Sequence, residues 1–288
     1  MRRKKTNAEP IKKPTRRVRA MAAAIKEVVA NSVPAEHSKD GKPNNDSVLV
    51  IDIGGTKAKM LASGKTKPHK ARTGPGFTPE RLVEIVQSLK HDWTFGAATI
   101  GFPGLVGADG PKSEPGNLGP GWVGFDFASA LAMPVKIVND AVMQALGSYD
   151  KGRMVFVSFG TGIGSALIED HMIVPLELGQ LRYDSRHTVG DLLNRIALRR
   201  YGKKAWRRVI AELVPMLLRA FVADYVVLGG GNAKLIKDLP VGARLGHNRA
   251  AFRGGFRLWE KDHDWTLAAP AVSQLRDATR NGRDSKSK

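Results

Sequence analysis

The hydrophobic positions of this chain fall in short blocks separated by glycine-rich or polar breaks. Residues 48–53, VLVIDI, form an apolar run of the length of a buried strand. The run contains one carboxylate, Asp52, and ends abruptly at Gly54-Gly55-Thr56-Lys57. AKMLAS, just beyond, predicts the hairpin partner of that strand. TPERLVEIVQSLK has helical spacing, with Thr78 as N-cap and Pro79 at the first helical position. GAATIGFPGLV predicts a strand entering a Pro-Gly turn, PVKIVND another strand, and AVMQALGSY a helix that starts where that strand ends. MVFVSFGTGIGSALIED predicts a second strand, glycine turn, strand unit.

Two helices follow, TVGDLLNRIALRRYG and KKAWRRVIAELVPMLLRAF, the second expected to kink at Pro215. DYVVLGGG predicts a last strand meeting a glycine turn, and NAKLIKD the start of another helix. VLVIDIGGTKAKML and VFVSFGTGIGSALI share one layout: apolar strand, glycine-threonine turn, second strand. This internal echo predicts a duplicated α/β protein, two lobes with a cleft between them.

Composition adds boundaries. The chain has 288 residues, 42% of them apolar, enough for one or two packed domains. No apolar run is long enough to span a membrane. Cysteine is absent, which removes disulfides and thiolate metal sites and fits a reducing cytoplasm. The formal charge is +19, of which residues 1–45 carry +8, from twelve Lys and Arg against four Asp and Glu. Such an excess points to a polyanionic partner or to a solubilising tail. We expect residues 1–46 to form a basic flexible tail and linker with one short amphipathic helix. Residues 47–139 are expected to form a small lobe, 140–260 a large lobe, and 261–288 a partly disordered end.

The turns carry the candidate chemistry. Glycine lets backbone N–H groups approach an anion that side chains otherwise block. Around the first turn Asp52, Gly54, Gly55, Thr56 and Lys57 form half of a candidate phosphate clamp. Asp52 makes sense there as a Mg²⁺ partner through water, since the metal bridges phosphate oxygens. Gly160, Thr161, Gly162 and Gly164 form the second half. The first turn is not a Walker A loop, and a hairpin strand follows it where a dinucleotide fingerprint needs a helix. Asn139-Asp140 lies at a strand's C-terminal end, where open α/β sheets place ligands; Asp140 can cap the helix, accept a proton from a sugar hydroxyl, or both. GNLGPGW supplies Asn117 and Trp122, and ELGQ supplies Glu177 and Gln180, donors and acceptors suited to sugar hydroxyls. Gly229, Gly230, Gly231 and Asn232 form a further anion or nucleotide contact, with Asn232 as helix cap.

Taken together, DIGGTK, IGFPGLV, NLGPGW, VNDA, FGTGIGSA, ELGQ and LGGGNA resemble, in this order, the ROK family of sugar kinases over residues 47–260. GKKAWRR, DYVVLGGGNAK, LPVGARLGHN and AFRGGFRLWE resemble its polyphosphate glucokinase branch in particular. The resemblance implies the two-lobed actin-like ATPase (ribonuclease H-like) fold. It implies phosphoryl transfer from polyphosphate and/or ATP to the 6-hydroxyl of glucose or a related hexose, with Asp140 as general base. Asn117, Asn139, Asp140 and Glu177 are then expected around the sugar. Mg²⁺, a homodimer and a cytoplasmic location are implied, without structural zinc, membrane attachment or nucleic acid. Gln180 stands where the family usually has histidine, and Val142 follows VNDA where a polar residue is common. The other readings are a catalytically weak sugar-sensing or regulatory protein of this type and an ATP-only hexokinase of different sugar preference.

Overall fold

The computed structural model describes residues 47–268 apart from 248, 262 and 263. The expected N-terminal tail and its amphipathic helix lie outside these residues, as does most of the expected C-terminal segment.

Two mixed sheets are built to the same plan. The first runs β3(His69–Arg72), β2(Lys57–Ala62), β1(Val48–Ile53), β4(Ala97–Phe102), β7(Val135–Asn139). The second runs β12(Ala243–Leu245), β11(Tyr225–Gly229), β8(Met154–Phe159), β9(Ile163–Glu169), β10(Met172–Leu176), β13(Thr266–Leu267). In each, a three-stranded antiparallel meander lies beside two strands parallel to its first member. The echo in sequence is therefore a repeat in topology. A two-stranded ribbon, β5(Val106–Gly107) with β6(Gly110–Pro111), extends from the first sheet's loops.

The helices are α1(Pro79–Leu89), α2(Phe127–Leu131), α3(Asp140–Ser148), α4(Val189–Leu193), α5(Arg195–Ala220) and α6(Ala250–Arg257). Thr78 caps α1 as expected, its side chain accepting from Arg81 N. The inward rows of β1, β2 and β4 bury Leu49, Ile51, Met60 and Ile100 against α1 and α2. Trp122 is fully buried in this core beside Phe77, Phe102 and Phe127, with its indole N–H on Gly119 O. It is a core residue, not a sugar contact. α4 and α5 cover the far face of the second sheet through Leu193, Trp206, Ile210 and Leu217.

α3 and α6 share one core between the sheets, built from Val50, Val142, Leu146, Phe156, Ile168 and Phe252. The two helices touch backbone to backbone. A Cβ on Gly147 would run into Ala250 O, and one on Gly254 into Met143 O. Only glycine permits that approach.

Two sequence expectations fail locally. The first predicted long helix is split at Asn194, whose side chain caps the next segment through Ala197 N. The boundary between the two predicted helices is kept, with non-helical dihedrals at Gly202 (φ 78°, ψ 167°), and Pro215 lies inside the second. NAKLIKD makes only a three-residue 3₁₀ turn, Ala233–Leu235, because Ile236 already turns extended.

Candidate active site

Between the sheets opens a cavity of about 900 Å³, a size typical of small-molecule sites. Its walls come from the C-terminal ends of β1 and β7, the turn between β8 and β9, and the turn after β11. Asp52, Gly54, Gly55, Asn117, Asn139, Asp140, Glu177 and Gly229–Gly231 line it, together with Gly160, Thr161, Gly162 and Gly164. Thr56, Lys57, Gln180 and Asn232 do not.

The first turn is closed by Gly54 N donating to Lys57 O at 3.1 Å. A Cβ on Gly55 would collide with Asn117 Nδ2, so the glycine lets the Asn117 loop reach the turn. Glu114 holds that loop by accepting from Trp122 N (3.1 Å) and Val123 N (3.2 Å). The second turn is closed by Gly160 N donating to Gly162 O. Gly164 packs on Ala141, where a Cβ would sit 2.5 Å from the alanine methyl. The turn is thereby brought beside the residue that follows Asp140. Gly230 (φ +81°) faces the Phe159 backbone so closely that any side chain would clash, and Asn232 N donates to Phe159 O at 3.0 Å. The triple-glycine turn therefore leans directly on the second phosphate turn. Asn232 stands at the N-cap position of the 3₁₀ turn, but its side chain makes no capping bond, and its Nδ2 is buried without a hydrogen-bond partner among the described residues.

Asn139, not Asp140, caps α3. Its Oδ1 accepts from Ala141 N (2.9 Å) and Val142 N (3.3 Å), and its Nδ2 donates to Gly104 O (2.9 Å). Asp140 keeps its carboxyl for other work. It has some exposure to the cleft, yet protein crowds the carboxyl closely. Desolvation first, then the charge of Asp52 and more weakly that of Glu177, push its pKa up to about 7. Backbone N–H groups of Ala141 and Asp140 oppose the rise. Burial also raises Glu177. Ser165 sets its backbone, donating to Leu176 O and accepting from Leu178 N.

On β2 the lysine that lines the cavity is Lys59. Its Nζ lies 3.0 Å from Asp52 Oδ2, and the Asp52 carboxyl is only 13% exposed. The β1–β2 register sets Lys59 opposite Asp52, whereas Lys57 sits at the turn and is exposed. Lys70 and Arg249 also line the cavity. Alternation of side chains along β2 was the one signal for Lys59, and it depends on a register that sequence does not print.

Magnesium fits the donor set in a limited way. Among the described residues no cluster of three or more His, Asp or Glu can hold a metal. Mg²⁺, however, commonly takes one or two carboxylates and completes its shell with water and substrate phosphates. Asp52, beside Asp140 and between the glycine turns, offers such a carboxylate.

No family model matches the sequence. Polyphosphate glucokinase from Mycobacterium leprae is 25% identical over 210 residues, 66% of this chain and 61% of that protein. The match thus spans less than two thirds of that relative's length. Polyphosphate glucokinase from Mycobacterium tuberculosis is 24% identical over 202 residues, covering 63% of this chain and 76% of that one. Among solved structures, the inorganic polyphosphate/ATP-glucomannokinase of Arthrobacter sp. strain KM superposes with a TM-score of 0.61 at 24% identity, covering 75% of this chain and 99% of that one. In sequence the chain is similar to polyphosphate glucokinases, and in fold to ROK family sugar kinases. A ROK family glucokinase from Streptomyces griseus, solved with glucose and AMPPNP, gives a TM-score of 0.59 at 15% identity over 74% of this chain and 98% of that one. The duplicated sheets are those of the actin-like ATPase fold that these sugar kinases share.

Proposed function

We propose that the chain is a sugar kinase that transfers a phosphoryl group from polyphosphate and/or ATP to the 6-hydroxyl of glucose or a related hexose. The observation that carries this reading is Asp140: a crowded carboxyl with pKa near 7, at a strand end, in one cavity with two glycine turns. A base poised near neutral pH suits removal of a hydroxyl proton.

In this reading Asn117 and Glu177 hold the sugar hydroxyls, and Asn139 fixes the Asp140 backbone. Gln180 bears on the sugar only from outside the cavity walls. The sugar O6 loses its proton to the Asp140 carboxylate as the O6–P bond forms. The donor's bridging P–O bond breaks, leaving ADP or a polymer one phosphate shorter. Backbone N–H groups of Gly55 and of Thr161–Gly162 face the transferred and leaving phosphates, those of Gly54 and Gly160 being used to close the turns. The turn at Gly229–Gly231 suits a nucleotide. Mg²⁺ near Asp52, once bound with the donor, supplies neutralising charge to the phosphate oxygens. The homodimer and the cytoplasmic setting expected from the family belong to the same proposal.

A donor-by-sugar matrix tests it: ATP and long-chain polyphosphate against glucose, mannose and N-acetylmannosamine, with Mg²⁺, read as sugar phosphate formed. We expect phosphorylation of at least one hexose with at least one donor. Absence of product across the matrix would overturn the proposal.

A further inference from the structure

We propose that the β2–β3 hairpin is a binding track for the distal phosphates of a linear polyphosphate. The inference rests on the kinase reading above and adds where the polymer lies. From Lys57 to Arg72 the chain has six Lys and Arg and no Asp or Glu. The register pairs Lys57 with Arg72 and Lys59 with Lys70. Directly opposed residues of an antiparallel pair share a face, so the four cations stand as two rungs on one side of the sheet. That side is the cavity side, since Lys59, Lys70 and Pro68 all line it. Among the described residues, the only carboxylate within ion-pair distance of these four is Asp52, on Lys59.

Like charges directly opposed weaken a sheet. Lysines on an edge strand are a common guard against unwanted pairing, which accounts for Lys70 and Arg72 on β3. It does not account for Lys57 and Lys59, because β2 is an interior strand between β3 and β1. The rungs continue past the reacting end of the cavity. They start beside the Gly54–Gly55 turn and lead to the hairpin tip, where Arg249 from the opposite wall reaches Thr66 O at 3.5 Å. Lys65 and Lys67 stand exposed at that tip.

A row of cations leading away from the site of transfer matches a ligand whose charge repeats along its length. A nucleoside triphosphate ends after three phosphates, and its base suits the second lobe's triple-glycine turn instead. Single-stranded nucleic acid needs aromatic faces for its bases, and residues 57–72 contain no Phe, Tyr or Trp.

The test uses the full chain and a variant carrying Lys65→Gln, Lys67→Gln and Lys70→Gln. Its control carries Arg199→Gln, Arg200→Gln and Lys203→Gln, an equal charge loss at exposed positions of α5. Titration calorimetry with long-chain polyphosphate is run at two salt concentrations, alongside KM values for that polymer, tripolyphosphate and ATP. Removing three exposed ion contacts should weaken polymer binding roughly 10-fold or more and flatten its salt dependence. KM should rise for the long polymer far more than for tripolyphosphate or ATP, and the control should follow the unmodified chain. The track is refuted by unchanged polymer affinity in the hairpin variant, by an equal loss in the control, or by single-stranded RNA displacing the polymer from the hairpin on equal terms. If no donor supports turnover while the hairpin variant alone loses polymer binding, the kinase reading fails and the track stands.

Discussion

The Asp140→Asn substitution separates the energetic and chemical consequences of one carboxyl. In the folded protein its pKa rises from 3.8 to about 7, mainly through desolvation and secondly through Asp52. The raised value means that folding favours the neutral form. The benefit is fully present below about pH 4 and is lost as pH climbs through 7. At about 1.4 kcal/mol per tenfold change in proton affinity, ionised Asp140 costs the fold roughly 4 kcal/mol above pH 7. At pH 5 most of that cost has not yet appeared; it is then roughly 1.5–2 kcal/mol by the same relation. Asparagine carries no charge at either pH. The stability advantage of Asp140→Asn over the unmodified protein should therefore grow by roughly 2–3 kcal/mol between pH 5 and pH 8. Urea unfolding of both proteins, without ligands, at the two pH values measures this directly. The same variant should lose at least ~10²-fold in kcat, the lower range for a positioned base. An advantage that is flat with pH would show that Asp140 is not desolvated in the folded chain. Near-normal turnover would remove it as the base.

Asp52→Asn removes the second largest cause of the Asp140 shift. The acid limb of kcat/KM should move to lower pH than in the unmodified enzyme, whatever the height of the plateau, and an unmoved limb would mean the two carboxyls do not sense each other. Asn139→Ala deletes the α3 cap, which accepts from Ala141 and Val142. It should lower stability by about 1 kcal/mol, up to about 2, in chemical denaturation, whereas Asn139→Asp should retain most of the cap. Gly254→Ala forces a methyl against Met143 O at the α3–α6 crossing. Overpacking of this kind costs typically ~1–3 kcal/mol, visible as a lowered Tm, and a neutral result would show that the two helices stand further apart.

The sequence was most informative where local chemistry and long-range position coincide. Glycine turns announced themselves because close approaches of the Asn117 side chain to Gly55, the Ala141 methyl to Gly164 and the Phe159 backbone to Gly230 leave no room for a Cβ, so the same residue type is required by the turn and by its neighbour. Asp140 was legible because a strand end, a helix start and a carboxylate fall together. Lys59 was not legible, because a strand's facing depends on the turn that precedes it. The loop at Gly54–Lys57 sets Asp52 opposite Lys59, and one residue more or less would have turned Lys57 and Lys59 together to the other face. α6 was missed for the opposite reason. Adjacent glycines in AFRGGFR lower helix propensity by roughly 1 kcal/mol each, so sequence reading finds no helix there. Yet Gly254 and Gly255 are buried where α6 meets the Met143 backbone and the Val50 side chain. The pair weakens the helix alone and permits the contact that holds it. A residue pattern that opposes its own secondary structure thus marks close tertiary approach. By the same reasoning the opposed cations of β2 and β3, unfavourable for their own sheet, mark a ligand that supplies the missing negative charge.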